Sequence, residues 1–259
     1  MLKLILMDKE NHELARAEGE KSIALTVNRD YEEGDHLLLQ SEEPYVYASV
    51  DAFLAPAYLY LPEGSFTFRF PVGMWPLLPY SPQAFRSGMH TYTLCEAPEA
   101  KKVRRDLALN PLCQRPFEGS YPFVHANVET RDESVFFARN VVDGIHINNS
   151  HGYWPYESWG IGLSETAEIS VDFGREVTAD SMSLTLRADF PHDAYWKQAT
   201  VTLSDGYTLT FPLEMTEKDQ RIPFDRPHVI TSARLHSLGK QVMDSPFPAL
   251  RCWEIFGQG

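Results

Sequence analysis

Ala138-Arg139-Asn140-Val141-Val142-Asp143-Gly144, running on through Ile145-His146-Ile147-Asn148-Asn149-Ser150-His151-Gly152-Tyr153-Trp154-Pro155-Tyr156-Glu157-Ser158-Trp159, is the stretch that organises this chain. Its apolar entry, Val135-Phe136-Phe137, reads as a strand or a short helical turn that breaks at Asp143-Gly144. The segment beyond has no periodicity. A loop of that length inside a compact unit is functional or disordered. Its two tryptophans and two tyrosines argue against disorder, because disordered segments are poor in aromatics. Two readings stay open: an ordered binding loop, or rings that plug one end of a β-sandwich, since Trp is highly buried on average.

Outward from this stretch the chain alternates. Glu168-Ile169-Ser170-Val171-Asp172-Phe173-Gly174 and Ser181-Met182-Ser183-Leu184-Thr185-Leu186-Arg187 place apolar and polar side chains on opposite faces. Thr200 to Phe211 reads as a hairpin turning on Asp205-Gly206. His228 to Leu235 and Cys252 to Gly257 complete the set. The first half repeats the pattern at Leu2–Leu6, Ser22–Val27, His36–Gln40, Tyr45–Val50, Ala57–Leu61 and Ser65–Phe70, with Tyr-Xaa-Tyr and Phe-Xaa-Phe expected in a core. Pro71, Pro76, Pro79 and Pro82 make residues 71–95 irregular, with Trp75, Tyr80, His90 and Tyr92 offering the aromatic density of a second pocket. A helix is expected over Pro98–Leu109, ending at Asn110-Pro111. The expected class is all-β: two packed β-sandwich (jelly-roll) domains, residues 1–118 and 119–259.

Composition narrows the function. A hydrophobic fraction of 43% supports real cores, and 18 Pro with 15 Gly suit a turn-rich β protein. The net charge of −13 repels phosphate backbones, so no nucleic-acid partner is expected. Lys101-Lys102-Val103-Arg104-Arg105 sits beside Glu96, Glu99 and Asp106 and reads as a solvated face. Cys95, Cys113 and Cys252 are odd in number and widely spaced, giving neither a disulfide framework nor a zinc motif. No apolar run reaches membrane length, so no membrane partner is expected. The opening apolar run meets Asp8, too early for a secretory core. As it stands the sequence reads as cytoplasmic, or as secreted if its start has been trimmed.

Residues 121–257 resemble a discoidin-type domain, the coagulation-factor type C, galactose-binding-like β-sandwich. The matching pieces, in order, are Ala138–Gly144 with a loop Trp, Ile169-Ser170-Val171-Asp172-Phe173-Gly174, Val201-Thr202-Leu203-Ser204-Asp205-Gly206, and Trp253-Glu254-Ile255-Phe256-Gly257. The resemblance implies ligand loops at one end of the sandwich, for a galactose-like or other glycan. It also implies a structural calcium near the Asp-Gly loop and the last strand, with Asp143, Asn140, Asn148 and Glu254 as donors.

Arg187-Ala188-Asp189-Phe190-Pro191-His192-Asp193-Ala194-Tyr195-Trp196 concentrates charged and aromatic groups just after a strand. Sugar recognition asks for that mixture, a ring face under the pyranose and charge-assisted hydrogen bonds to its hydroxyls. The expected ligand contacts are Arg187, Asp189, His192, Asp193 and Trp196, together with His151, Tyr153 and Trp154. The bland alternative pairs Arg187 with a neighbouring Asp and closes the sandwich with Trp196. Catalysis stays open, since His192-Asp193, or His125 near Glu129 and Asp132, could supply a base. The leading expectation is a non-catalytic carbohydrate-binding protein. A glycan-processing enzyme with its site between the two halves and a protein-interaction or adhesion module are the alternatives.

Overall fold

The computed structural model describes residues 1–149, 152–188, 194–240 and 247–259, and within them the chain is all-β. In the first half, β1 (Leu2–Met7), β2 (Glu13–Gly19), β4 (His36–Ser41) and β7 (Ser65–Arg69) form a four-stranded sheet in the order β2-β1-β4-β7. A second four-stranded sheet takes β3 (Ser22–Asn28), β5 (Tyr45–Ser49), β6 (Ala57–Tyr60) and β8 (Met89–Glu96) in the order β3-β8-β5-β6. Leu2, Leu4, Leu6, Leu37, Leu39, Phe66 and Phe68 from the first sheet share one core with Val46, Ala48, Tyr92 and Leu94 from the second. Burying each such side chain is worth about 1.5–3 kcal/mol.

The register corrects one expectation. Phe66 and Phe68 do face inward, but in β5 it is Val46 and Ala48 that are buried, leaving Tyr47 exposed. A one-residue offset moves a strand's whole apolar set to the other face. The outward tyrosines are not idle. Arg105 lies 4.2 Å over the Tyr58 ring, Arg175 5.3 Å over Tyr45 and 5.1 Å over Tyr60, and Lys101 5.1 Å over Tyr45. Of these cation–π contacts, those of Arg175 join the first half to the second.

Two further expectations change. The helix expected over Pro98–Leu109 is only a 3-10 turn at Pro98–Lys102. Val103 is then extended, and β9 (Arg105–Asp106) pairs with the end of the chain, Asp106 opposite Phe256. Residues 71–95 are irregular as far as Gly88 apart from α1 (Met74–Leu77), and then form β8, in which His90, Tyr92 and Leu94 point inward.

The second half is one eight-stranded antiparallel sheet. Its main path is β11 (Trp159–Gly160), β16 (Ala249–Gln258), β12 (Ile169–Leu186), β15 (Gln220–Lys240), β13 (Trp196–Leu203) and β14 (Thr208–Pro212), with β10 (Phe123–Ala126) on β12 and β9 on β16. The two alternating segments at 168–174 and 181–187 are therefore one 18-residue strand. Its inward residues are Ile169, Val171, Phe173, Val177 and Ala179, then Met182, Leu184 and Leu186. The parity switches because pairing is interrupted between Ala179 and Ser181, where Asp180 is the extra residue and bonds Arg104. A bulge of this kind bends a strand and re-aims its side chains. The hairpin between β13 and β14 turns at Asp205-Gly206 as expected, with Gly206 at φ 93.

Leu107, Ala108 and Cys113 pack in the core of the second half, whereas Leu112 packs in that of the first, so the connecting segment is shared between them. Among the described residues no helix is long and apolar enough to cross a membrane.

Gly174 supplies a sharp test of this packing. It sits at φ 67, and a Cβ there would land on the Tyr121 ring. Gly174→Ala should lower stability by about 1–3 kcal/mol in denaturant unfolding, and Tyr121→Ala in the same chain should recover part of the loss.

Candidate functional site

The organising stretch folds as two 3-10 turns, Ser134–Phe136 and Ala138–Val142, followed by a loop that closes on itself where the Asn149 amide donates to the Pro155 carbonyl at 2.7 Å. Trp159 anchors its far end, fully buried, its indole N–H donating to the Val128 carbonyl at 2.9 Å. Between these anchors the loop presents Tyr153, 71% exposed, and a half-buried Trp154. The rings of the stretch divide between the two environments. Trp159 plugs the sandwich, and Tyr153 faces water.

Arg187 meets this loop. Its Nη1 donates to the Tyr156 carbonyl at 2.6 Å, its guanidinium lies 5.9 Å over the Tyr156 ring, and its own amide donates to the Ala249 carbonyl. The end of β12 and the loop therefore share one rim. Yet Arg187 is only 2% exposed, so it braces the loop from beneath. Trp196 is a correction. It is 1% exposed and packs 6.1 Å from Trp159 inside the core, because it opens β13 on the inward face. His151, Asp189, His192 and Asp193 lie outside the described residues.

Three of the four expected calcium donors face protein partners. Asn140 is spent on protein partners: its Oδ1 accepts from Arg139, and its Nδ2 donates to the Ser134 and Ser158 carbonyls. The cation among these oxygens is the guanidinium of Arg251, 0% exposed. It donates to the Asn140 carbonyl at 3.2 Å, the Ile147 carbonyl at 3.3 Å and Glu157 Oε1 at 2.9 Å, with Asp143 Oδ2 at 3.6 Å. Glu254 keeps other company, beside His146 and Asp219. Asn148 is half-buried, and its side-chain oxygen has no hydrogen-bond partner among the described residues.

A second concavity, of about 590 Å³, lies between the Pro-rich segment of the first half and residues 114–139. Trp75, 68% exposed, and Phe137 stand on its walls. Sequence reasoning noted Trp75 and named His125 with Glu129 and Asp132 as a possible base, but it did not find their arginine partners. Arg69 binds Glu118, Arg115 binds Glu129 and Asp132, and Arg131 binds Glu133. Burial holds the Glu129 carboxyl above its ordinary range, but both its oxygens are engaged, by the Ala138 amide and by Arg115. His125 is held by Asp172 at 3.0 Å, which raises its pKa. Glu118, Glu129, Asp132 and Glu133 are thus each bonded to an arginine, and Glu33 also stands on the wall.

No protein-family model and no curated protein matches the chain. Solved structures similar to it include chitosan-binding module 1 of a chitosanase/glucanase from Paenibacillus sp. IK-5, at 18% identity, covering 59% of this chain and 99% of that one, TM-score 0.40. The family 32 carbohydrate-binding module of NanJ from C. perfringens, in complex with galactose, aligns at 14% identity over 51% of this chain and 91% of its own, TM-score 0.39. A histidine mutant of the lectin binding domain of lectinolysin complexed with Lewis b aligns at 14% identity over 60% and 97%, TM-score 0.45. At TM-scores below 0.5 none of these likenesses assigns a ligand or a residue role.

The Arg251 cage makes its own prediction. Burial, with Asp143 nearby, pushes the Glu157 carboxyl from 4.5 up to about 7, while Arg251 pulls the other way. The folded chain thus holds a proton between these values that the unfolded chain has released, so stability is full below pH 4.5 and falls as pH rises towards 7. Glu157→Gln should flatten that slope in thermal melts run across the range. Arg251→Met leaves two buried carboxylates without their cation and should cost about 3–5 kcal/mol.

Proposed function

We propose that this protein is a carbohydrate-binding protein whose ligand rests on the rim formed by Tyr153, Trp154 and the end of β12. The observation that carries the reading is the bond from Arg187 to the Tyr156 carbonyl, which fastens the loop to the end of β12, 31 positions away. Tyr153 offers an exposed ring face. A neutral pyranose suits this exposed ring, on which its C–H face stacks.

A second reading places the glycan in the 590 Å³ cleft, favoured by the exposed Trp75 at its wall and by a volume in the range of small-molecule sites. Titration calorimetry against a panel of mono- and oligosaccharides separates the two. Tyr153→Ala and Trp154→Ala should each weaken binding about tenfold or more, the worth of about 1.4 kcal/mol, while Trp75→Ala leaves it unchanged. The reverse pattern moves the site to the cleft, and no binding by the unaltered chain ends both readings.

A further inference from the structure

The outer face of the last strand holds a cluster that the sugar reading does not use and that shares only Glu254 with the calcium expectation. Along β16, Trp253 and Ile255 point into the core, so Cys252 and Glu254 point the other way. Cys252 pairs with Thr185 and Glu254 with Ser183 on β12. His146 reaches over them from the organising loop, and Asp219 arrives from just before β15. His146, Asp219 and Glu254 offer ligand atoms that all lie within 4.8 Å of one another.

The imidazole has two distinct environments. Nδ1 faces Asp219 Oδ1 at 3.1 Å, and that same oxygen accepts from the Thr185 hydroxyl at 2.7 Å. Nε2 faces Glu254 Oε1 at 3.7 Å and Cys252 Sγ at 3.8 Å. A carboxylate on one ring nitrogen with soft and hard donors gathered at the other is the arrangement by which proteins orient a metal-binding histidine. Tetrahedral bonds of zinc length to N, O and S place neighbouring donors roughly 3.3–3.6 Å apart. The separations at Nε2 exceed that by only a few tenths. Ser183, directly across from Glu254, lies on the same face and hydrogen-bonds that carboxylate.

We propose that His146 Nε2, Glu254 and Cys252 Sγ bind a divalent transition-metal ion of the zinc class, with Asp219 holding the imidazole through Nδ1. The N, O and S donors select against calcium, which takes oxygen ligands. Binding releases the Cys252 thiol proton to solvent as the thiolate forms its bond to the metal. Three protein donors leave a fourth position for water or a ligand atom.

The test is titration of the chelator-treated full chain with Co²⁺, then displacement by Zn²⁺, read by absorption. The expected result is one ion per chain and a thiolate-to-cobalt charge-transfer band in the near ultraviolet. Cys252→Ser should remove that band. His146→Ala and Glu254→Gln should abolish tight binding, and Asp219→Asn should weaken it about 10–100-fold. Glu254 is only partly buried, so Glu254→Gln tests the site even if the Cys252 variant fails to fold. A second acidic group, Asp8, Glu10 and His12, lies in a surface turn, and His12→Ala serves as the control. Absence of the charge-transfer band in the unaltered chain, binding indifferent to His146→Ala, or binding lost with His12→Ala would each overturn the assignment.

Discussion

A charged guanidinium with no access to water constrains everything around it. Arg251 must be neutralised and hydrogen-bonded where it stands, because an isolated buried ion costs more than the fold can supply. Its partners come from the second 3-10 turn, the Asp-Gly turn, the loop beyond it and the approach to β11. Those four pieces are otherwise irregular backbone with no ladder to hold them. One side chain therefore sets the path of the organising stretch, and with it the direction in which Tyr153 emerges. Arg139 works alongside it, donating to the Cys113 and Pro111 carbonyls and lying 4.6 Å from the Tyr80 ring, so the same turn is fastened to both halves of the chain.

Arg251 can reach that position because β16 carries an extra residue there. Thr185 pairs with Cys252 but Leu186 pairs with Leu250, so Arg251 is the bulged residue between them. Beyond the bulge the strand alternates strictly. Trp253 and Ile255 fill the core, while Cys252 and Glu254 line the opposite face under His146. A single strand thus supplies the internal cation on one side and a donor set for an external one on the other. The two are kept apart by the pleat itself.

The candidate rim was partly legible in the residues. Arg187 and the Tyr153–Tyr156 segment were read as meeting, and they do meet through the Tyr156 carbonyl. Burial was not legible. Arg187 and Trp196 look like ligand groups in a string of letters, but one lies beneath the loop and the other opens β13 on its inward face. The parity of a strand depends on bulges upstream, and a bulge leaves no reliable mark in local composition. The carboxylates of the cleft were visible as acidic residues. Their arginine partners, up to 49 positions away, were not.

The sequence by itself determined the class of the fold. Alternation at period two, Gly and Pro punctuation and the Asp205-Gly206 turn are local properties, each written within a few residues. Tertiary structure alone decided which faces are inside, where Asp180 and Arg251 bulge out of register, and that the cation among the oxygens of Asn140, Asp143, Ile147 and Glu157 is a side chain of the chain itself. Such pairings depend on register between strands distant along the chain, and a shift of one residue exchanges every inward group for an outward one.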